Sequence, residues 1–343
     1  MAEQVLVTGG TGFIGRHLVR RLIEQGFAVR LFARSSQKVV SLFDKAVDVV
    51  EGDLESGVGM DRACQDVATI FHVAGIYRFG LRGRKKVLSV NVGGTEQIMQ
   101  AAWRARVNQV VHLSSAGILS GPTRALTEKD YPYQIPKWSV YKFSKWRSEQ
   151  IALNWAKRGL PVVIASAASP IGAEDERPTP TGQIIRDFLL RRFPCSCRAG
   201  LNFLDVQDLA DGMIATGKKG RLGERYILAG ENLWLQEFLG LLSKITGLPA
   251  PRWVLPWGLI MLGGMVGEAV SLMSQQGLRL NLETAWQAKN IQFFKTRKAH
   301  DELGWKPKIA MEESIKKSVT WFQQRLAQEF SGMEDWAVDR HVS

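Results

Sequence analysis

Cysteine is scarce in this chain of 343 residues, which contains only Cys64, Cys195 and Cys197. A sparse and odd set of thiols is typical of proteins that stay in a reducing compartment. No second cluster of metal ligands accompanies Cys195 and Cys197, so we interpret both as plain thiols rather than as zinc ligands. The sequence therefore predicts a cytoplasmic protein without a metal site.

Long apolar runs are absent as well. No segment reaches the roughly 18–20 uninterrupted apolar residues that a membrane-spanning helix needs. The nearest approach is 257–267, and Glu268 follows it directly. The N-terminus lacks the basic and then apolar pattern of a secretory leader, because its apolar run is better explained as the first strand of the fold. We expect neither a membrane span nor a leader.

Acidic residues are outnumbered, since 45 Lys and Arg face 33 Asp and Glu and give a net charge of +12. Such an excess suits nucleic acid, an anionic membrane surface or anionic small ligands. The basic residues are scattered apart from one dense run, 78–86, and no nucleic-acid-binding motif occurs. We interpret this run as a solvated loop, or as a patch that attracts a phosphorylated or carboxylated substrate. We therefore predict a small-molecule substrate and no nucleic acid partner.

The sequence does contain a glycine-rich turn near its start. A largely apolar run over 5–8 leads into Gly9, Gly12 and Gly15, and a helix-periodic segment follows at once. A strand, a glycine turn and a helix in that order form the phosphate-binding loop of dinucleotide-binding folds. Gly9 permits a tight turn, Gly12 lets backbone N–H groups approach a pyrophosphate, and Gly15 lets the helix pack close to the sheet. The predicted cofactor contacts in this turn are Gly9, Thr11, Gly12, Phe13, Ile14 and Gly15.

The end of the second predicted strand, 28–33, indicates which dinucleotide binds. In a doubly wound sheet the residue that closes this strand meets the adenosine ribose. An acid there accepts the 2′-hydroxyl of NAD, whereas an arginine suits the 2′-phosphate of NADP. Arg34 stands here and Lys38 follows with no acid between them. We therefore predict NADP rather than NAD, the alternative being a surface arginine beside bound NAD.

Short β-branched segments alternate with helix-periodic segments through the first half of the chain. This alternation predicts an α/β fold of the doubly wound Rossmann type, with a parallel sheet covered by helices on both faces. The predicted strands after the first are 28–33, 47–50, 68–73, 109–113 and 162–166. The predicted helices after the first are 58–66, 84–106 and 139–158.

The helix predicted over 139–158 carries a candidate catalytic pair. Tyr141 and Lys145 are four residues apart and therefore share one face of that helix. A lysine ammonium near a phenol favours the phenolate and lowers the pKa of the tyrosine toward the range useful for acid–base chemistry. A serine from the end of the preceding strand could then hydrogen-bond the substrate oxygen. His72 has no nucleophile to pair with, so we interpret it as a packed histidine.

Taken together, these motifs resemble the extended short-chain dehydrogenase/reductases of the NAD(P)-dependent epimerase/dehydratase group. The matching phrases follow the family's order and lie at 8–15, 52–54, 72–74, 91–95, 113–115 and 141–145. Further phrases, at 178–182, 205–212, 223–228 and 302–305, are similar to the branch of hopanoid-associated sugar epimerases and dihydroflavonol 4-reductase-like proteins. The resemblance extends over residues 3–325.

This resemblance implies a role for particular residues. Tyr141 would be the acid–base group, Lys145 would bind the nicotinamide ribose and tune Tyr141, and Ser115 rather than Ser114 would polarise the substrate oxygen. Asn91 would be structural. The further cofactor contacts that it implies are Asp53 and Leu54 at the adenine, Ala74 and Gly75 at the centre of the cofactor, and Pro170 beside the nicotinamide.

Two departures from the family pattern bear on function. The branch usually has Asn-Pro and then Gly-Pro in the loop beside the nicotinamide, whereas this chain has Ser-Ala at 166–167 and Gly-Ala at 172–173. Loss of a proline loosens a loop but removes no reacting group. The arginine–acid pair of many UDP-sugar enzymes is missing at 200–203. A nucleotide-sugar substrate is therefore not supported.

The second half of the chain is expected to form a smaller, mostly helical substrate-binding region. We assign 1–169 to the dinucleotide-binding domain, with returning segments near 201–232, and 170–200 together with 233–327 to the substrate region. Helices are predicted over 181–193, 234–246 and 311–327, and 328–343 is expected to be a frayed tail. The segment 253–273 is predicted to be a buried helix or lid. The alternative is that this segment forms an apolar entrance for an apolar substrate and that the entrance contacts a membrane surface.

These observations predict an NAD(P)-dependent oxidoreductase that moves a hydride to or from a carbonyl or carbinol of a small, apolar or sugar-like substrate. Two alternatives stay open: a sugar epimerase that uses the same side chains, and a non-catalytic NADP-binding sensor or assembly protein. Relatives pair helices like 84–106 and 139–158 across a dimer, so the resemblance also implies a homodimer.

Overall fold

The computed structural model describes residues 2–44, 46–77, 83–120, 125–132, 134–193, 195–273, 282–288 and 291–339. The strands are β1 (Gln4–Thr8), β2 (Ala28–Ala33), β3 (Asp48–Glu51), β4 (Thr69–His72), β5 (Gln109–Ser115), β6 (Val162–Ala167), β7 (Ser169–Ile171), β8 (Cys195–Cys197), β9 (Gly200–Asp205), β10 (Arg225–Leu228), β11 (Glu231–Trp234) and β12 (Trp253–Leu255). The first part of the basic run, 78–82, lies outside the described residues.

The helices before the substrate region are α1 (Phe13–Glu24), α2 (Ser36–Phe43), α3 (Met60–Cys64), α4 (Arg84–Leu88), α5 (Gly94–Ala105) and α6 (Val140–Lys157). Those that follow are α7 (Pro180–Leu189), α8 (Val206–Lys219), α9 (Leu235–Thr246), α10 (Trp257–Met273), α11 (Leu282–Gln287), α12 (Arg297–Leu303) and α13 (Met311–Asp339).

The central sheet has seven strands in the order β10-β6-β5-β4-β1-β2-β3, and each neighbouring pair runs parallel. Strands such as β1 and β6 are apolar, β-branched and buried on both faces, which is the pattern that a covered parallel sheet requires. The order reverses between β1 and β4, so the carboxyl ends of these two strands flank the crevice in which ligands of such sheets bind. The predicted α/β doubly wound fold is confirmed.

Helices cover both faces of this sheet. One core cluster joins the sheet to α1 and α8, and the second joins it to α3, α5 and α6. A third cluster lies apart, among α7, α9 and α13, and forms the core of the substrate region. That region also contains two small sheets, β11-β9-β7 and β12-β8.

Four helices differ from the sequence prediction. The predicted helix 181–193 ends at Leu189, shortly before Arg191, which adopts a positive φ of 55°. The predicted helix 58–66 is only Met60–Cys64, because Gly57 and Gly59 just before it adopt positive φ. The predicted helix 84–106 contains a π-helical turn at Ser89–Gly93. The last helix continues to Asp339, so the prediction of a frayed tail from 328 is wrong over the described backbone. No proline interrupts this stretch, and helical hydrogen bonding propagates readily once it has begun.

Candidate functional site

The glycine turn after β1 is too tight for side chains at two of its glycines. Gly9 has φ +76°, and a Cβ atom there would lie 2.7 Å from the backbone of Ala74. A Cβ atom on Gly15 would lie 2.1 Å from the carbonyl oxygen of Gly9. Gly12 occupies the N-cap of α1, and no side chain caps this helix end. The first N–H groups of α1 are thus left without a capping side chain at a close-packed turn, which fits a pyrophosphate.

A cleft of about 450 Å³ opens beside this turn. It brings together five of the predicted cofactor contacts, Thr11, Gly12, Phe13, Arg34 and Lys38. The last two come from the end of β2 and the start of α2, where an NADP 2′-phosphate is expected. The arrangement therefore fits an NAD(P) dinucleotide.

Sequence reasoning missed the other wall of this cleft. Glu174 and Glu176, from the loop after β7, form ion pairs with Arg16 of α1 at 3.3 and 3.0 Å. The Arg16 guanidinium also donates to the carbonyl oxygen of Thr11 at 3.3 Å, and its side chain is almost fully buried. The hydrogen bond from Arg16, together with the nearby charge of Lys38, lowers the pKa of Glu176. About 160 residues separate the partners, so no local pattern could have indicated this contact.

The remaining predicted adenine contacts lie after β3. Asp53 is exposed, and its carboxylate accepts a hydrogen bond from the backbone N–H of Glu55 at 2.8 Å. Leu54 is buried and packs against Gly94 of α5, where a Cβ atom would come within 2.5 Å of its side chain.

The segment after β4, with Ala74 and Gly75, is held by Asn91. The Asn91 side chain accepts from the Ile76 N–H at 2.7 Å, donates to the Ile76 carbonyl at 3.0 Å and donates to Ser144 of α6 at 2.9 Å. Asn91 stands in the π-helical turn, which places its amide between two elements of the site. The contacts agree with a structural role for this residue.

Ser115, Tyr141 and Lys145 converge at the carboxyl end of β5. The side chains of Ser115 and Tyr141 are hydrogen-bonded, and the Ser115 oxygen also accepts from the Gly117 N–H at 3.2 Å. Lys145 lies one turn further along α6 and donates to the Leu113 carbonyl at 2.6 Å. Two hydroxyl groups that hydrogen-bond each other can also bind one substrate oxygen between them.

Burial of the phenol raises the pKa of Tyr141 well above its ordinary value, the hydrogen bond with Ser115 lowers it, and the charge of Glu283 raises it further. The structure thus differs from the expectation that Lys145 brings this pKa down, because the Lys145 ammonium is turned to the Leu113 carbonyl. Burial lowers the pKa of Lys145 from 10.5 to about 8, against the opposing charge of Glu149.

The neighbouring Ser114 points away from this site. Its hydroxyl donates to the buried Glu149 carboxylate, which also accepts from Arg225 of β10 at 2.6 Å. This network fixes Ser114 in the interior, so Ser115 is the serine that reaches Tyr141.

His72 is a packed histidine, as expected. It is hydrogen-bonded to Thr8 at 2.8 Å and to Thr95 at 3.2 Å, and burial lowers its pKa to about 3.

Two further groups beside Tyr141 were not predicted. The ring of Tyr77 lies 3.9 Å from that of Tyr141, centroid to centroid. The buried carboxylate of Glu283, from α11, accepts from the hydroxyl of Ser139 at 2.8 Å, two residues before Tyr141. Tyr77 could have been found, because it follows the carboxyl end of β4. Glu283 lies 142 residues beyond Tyr141, and no motif marks it.

No group of three His, Cys, Asp or Glu side chains among the described residues is arranged to hold a metal ion. Within the same residues, no helix is both long enough and apolar enough to cross a bilayer. All three cysteines are free thiols.

Comparison with known proteins gives consistent relatives. The model of the NAD dependent epimerase/dehydratase family matches residues 5–229. The chain is 37% identical to "Putative dihydroflavonol 4-reductase" of Synechocystis sp., over 94% of this chain and 95% of that protein. It is 30% identical to "Sterol demethylase protein B" of Methylococcus capsulatus, over 93% of this chain and 98% of that protein.

Solved structures agree with these relatives. The crystal structure of gox2253 superposes with a TM-score of 0.81 at 31% identity, over 94% of this chain and 98% of that chain. UDP-glucuronic acid 4-epimerase from Bacillus cereus, solved with NAD, gives a TM-score of 0.73 at 20% identity, over 94% of this chain and 99% of that chain. At that identity the likeness concerns the fold alone.

Proposed function

This chain belongs to the NAD dependent epimerase/dehydratase family, and we propose that it is an NADP-dependent reductase of an apolar carbonyl compound. Members of the family include reductases, dehydrogenases and epimerases that use NAD(P). The observation that carries the proposal is the hydrogen-bonded pair of Ser115 and Tyr141 beside Lys145. When bound, the nicotinamide supplies or accepts the hydride.

The proton in this reaction belongs to Tyr141. A phenol of ordinary pKa is already protonated at neutral pH, and burial raises the pKa of Tyr141 further. The phenol can therefore give its proton to the oxygen of a carbonyl that is being reduced. Ser115 donates a hydrogen bond to the same oxygen and fixes its position. In the reverse direction the phenolate takes the proton back from the carbinol. A protonated resting state therefore favours reduction.

Replacing Tyr141 with Phe tests this assignment. General acid catalysis contributes ~10²–10⁴-fold to a rate, so we expect Tyr141→Phe to lose that much kcat while it still binds NADPH. Turnover is followed by NADPH oxidation with a panel of steroid, aromatic and sugar carbonyl compounds. Tyr131→Phe is the matched control, because the Tyr131 hydroxyl accepts from Gln150 at 3.0 Å and is not one of the three groups that converge at the end of β5. Full turnover in Tyr141→Phe would show that the proton comes from elsewhere.

The preference for NADP rests on Arg34 and Lys38 at the cleft. A charge-assisted hydrogen bond contributes ~1.5–3 kcal/mol. Arg34→Ala is therefore expected to weaken NADPH binding by roughly 10- to 150-fold and to leave NADH binding almost unchanged. Fluorescence titration with both cofactors measures this difference. Equal losses for NADPH and NADH would contradict a 2′-phosphate contact.

An apolar substrate is supported by the aromatic surroundings of the site. Trp138 and Trp286 meet edge to face at 5.2 Å beside Lys142, the residue next to Tyr141 on α6. One relative is named for sterol demethylation, which agrees with a ring-shaped apolar substrate.

Turnover confined to nucleotide sugars in the same panel would favour the epimerase alternative. Tight NADPH binding without turnover of any compound would favour a sensor.

Three finer features belong to this proposal. A cytoplasmic location is supported by the three free thiols. A homodimer through α5 and α6 is supported by Trp103, which is 46% exposed and lies against Trp155. Light scattering of the purified protein tests the dimer, and a monomer at all concentrations would exclude it. Contact with a membrane surface is supported by the exposed apolar side chains of 253–270.

A further inference from the structure

Helix α10 presents a continuous apolar surface to the outside of the protein. We define its outer face by six side chains that are between 39% and 59% exposed: Trp257, Leu259, Leu262, Met265, Val266 and Val270. Their spacing of three and four residues places most of them along one side of the helix. No charged residue occurs within 257–267. The prediction that this segment is a buried helix is thus wrong for the outer face of α10. The alternative prediction of an exposed apolar segment describes this face better.

The polarity of α10 is inverted with respect to an ordinary surface helix. Glu268 and Ser271 are 7% and 6% exposed, so the polar side chains point into the protein. The Glu268 carboxylate accepts from the Leu282 N–H at 3.4 Å, at the start of α11. A helix at a water-exposed surface turns its apolar side inward. The outer face of α10 is therefore matched to surroundings less polar than water.

The chain around the N-terminal end of α10 carries residues that are typical of protein segments lying at the level of lipid headgroups. Trp253 of β12 is 76% exposed, and Arg252 precedes it. Arg191 and Arg252 line a cleft of about 400 Å³ together with Trp253. Arg198 follows β8, which pairs in parallel with β12, and therefore lies level with the start of α10. Tryptophan is enriched at the headgroup level of membranes, and basic residues bind anionic lipids.

These observations select a bilayer over another protein as the occupant. The indole N–H of Trp257 is already hydrogen-bonded to Ala285, and the other side chains of the outer face carry no charged or hydrogen-bonding group that would give a protein partner specificity. Its rim is basic, as is the whole chain at +12. We propose that α10 lies in the plane of an anionic membrane, with its outer face among the acyl chains and Arg252 at the headgroups. An in-plane helix needs no membrane-spanning length.

The position of α10 connects this surface to the candidate active site. The indole N–H of Trp257 donates to the Ala285 carbonyl of α11 at 3.2 Å, and Glu283 of α11 holds Ser139 at the start of α6. One short helix thus separates the proposed membrane surface from Tyr141. Resting on the proposed function, the inference extends to the substrate: an apolar carbonyl compound dissolved in the bilayer enters the site along α11.

Vesicle flotation with the full chain tests the membrane proposal. We expect binding to phosphatidylcholine vesicles that contain phosphatidylglycerol, and at least tenfold weaker binding to phosphatidylcholine alone. The double variant Leu262→Glu, Val266→Glu should lose at least tenfold of the binding to the anionic vesicles. The matched control is Leu222→Glu, since Leu222 is also 59% exposed but lies in the loop before β10. NADPH affinity, measured in parallel, reports whether each variant is folded and is independent of the membrane.

Hydrogen exchange on the unaltered protein gives a second measurement that needs no variant. Anionic vesicles should slow exchange in 257–271 and leave α9 unchanged. The proposal is overturned if the unaltered protein does not bind the anionic vesicles, or if Leu222→Glu loses as much vesicle binding as the double variant. It is also overturned if the protein binds no vesicles but forms a dimer that the double variant Leu262→Glu, Val266→Glu abolishes. If vesicles bind but Tyr141→Phe keeps full turnover, the proposed chemistry fails while the membrane surface stands.

Discussion

The buried ammonium of Lys145 leads to a prediction for the pH dependence of activity. Lys145 is 9% exposed, and burial lowers its pKa from 10.5 to about 8. This lowering corresponds to roughly 3 kcal/mol against the charged form. As the proposed ligand of the nicotinamide ribose, Lys145 should act in its charged form. We therefore expect kcat/KM for carbonyl reduction to be constant below pH 8 and to fall about tenfold per pH unit above it.

Lys142 provides the control for this experiment, because burial also lowers its pKa to about 8. Its ammonium lies 5.5 Å from the centre of the Trp286 ring. In Lys142→Met the decline above pH 8 should persist. In Lys145→Arg the guanidinium stays charged to above pH 12, so the decline should disappear, at a lower plateau because the longer side chain fits less well. A decline that survives in Lys145→Arg, or is lost in Lys142→Met, would refute the assignment.

Two further substitutions test the dinucleotide region. Burial raises the pKa of Asp175 from 3.8 to about 6. Between pH 3.8 and pH 6 the folded state therefore binds more protons than the unfolded state, and the free energy of unfolding falls by about 3 kcal/mol as the pH rises through this range. Asp175→Asn should remove this fall. Urea unfolding at several pH values measures it, and the same pH dependence of the unfolding free energy in Asp175→Asn and in the unaltered protein would contradict the prediction. Gly15→Ala places a Cβ atom 2.1 Å from the Gly9 carbonyl oxygen, and is expected to cost ~1–3 kcal/mol of stability and most of the NADPH affinity. The matched Gly240→Ala in α9 meets no atom within 4 Å and should be neutral or stabilising by up to ~1 kcal/mol.

The sheet and its glycine turn could be predicted because their causes are local. Strands buried on both faces need continuous apolar residues, and β6 spans Val162–Ala167 where the pattern predicts a strand over 162–166. Gly9 and Gly15 are glycine because neighbouring backbone leaves no room for a side chain. The i and i+4 spacing of Tyr141 and Lys145 likewise follows from the helix alone. Each of these features depends on a few consecutive residues.

The features that could not be predicted depend on contacts between distant segments. Glu283 and Glu174 reach their partners across 144 and 158 residues. The π-helical turn holds Asn91 where it meets both Ile76 and Ser144, which lie 15 and 53 residues away. The exposure of α10 could not be inferred from composition, because an apolar helix inside a protein and one at a membrane have the same residues. The exposure of its apolar side chains and the inward position of Glu268 separate the two.

The altered loop at 166–173 shows how tertiary contacts can fix a backbone that lacks a proline. Where the family pattern has Asn-Pro, β6 continues through Ala167, and residues 166–167 pair with 227–228 of β10. The Ala168 N–H, one residue after the position of the family's proline, donates to the Leu228 carbonyl at 2.9 Å. Thr181 of α7 then donates to the Pro170 carbonyl at 2.8 Å. The backbone is thus fixed by hydrogen bonds on both sides, and the lost proline does not by itself argue against turnover.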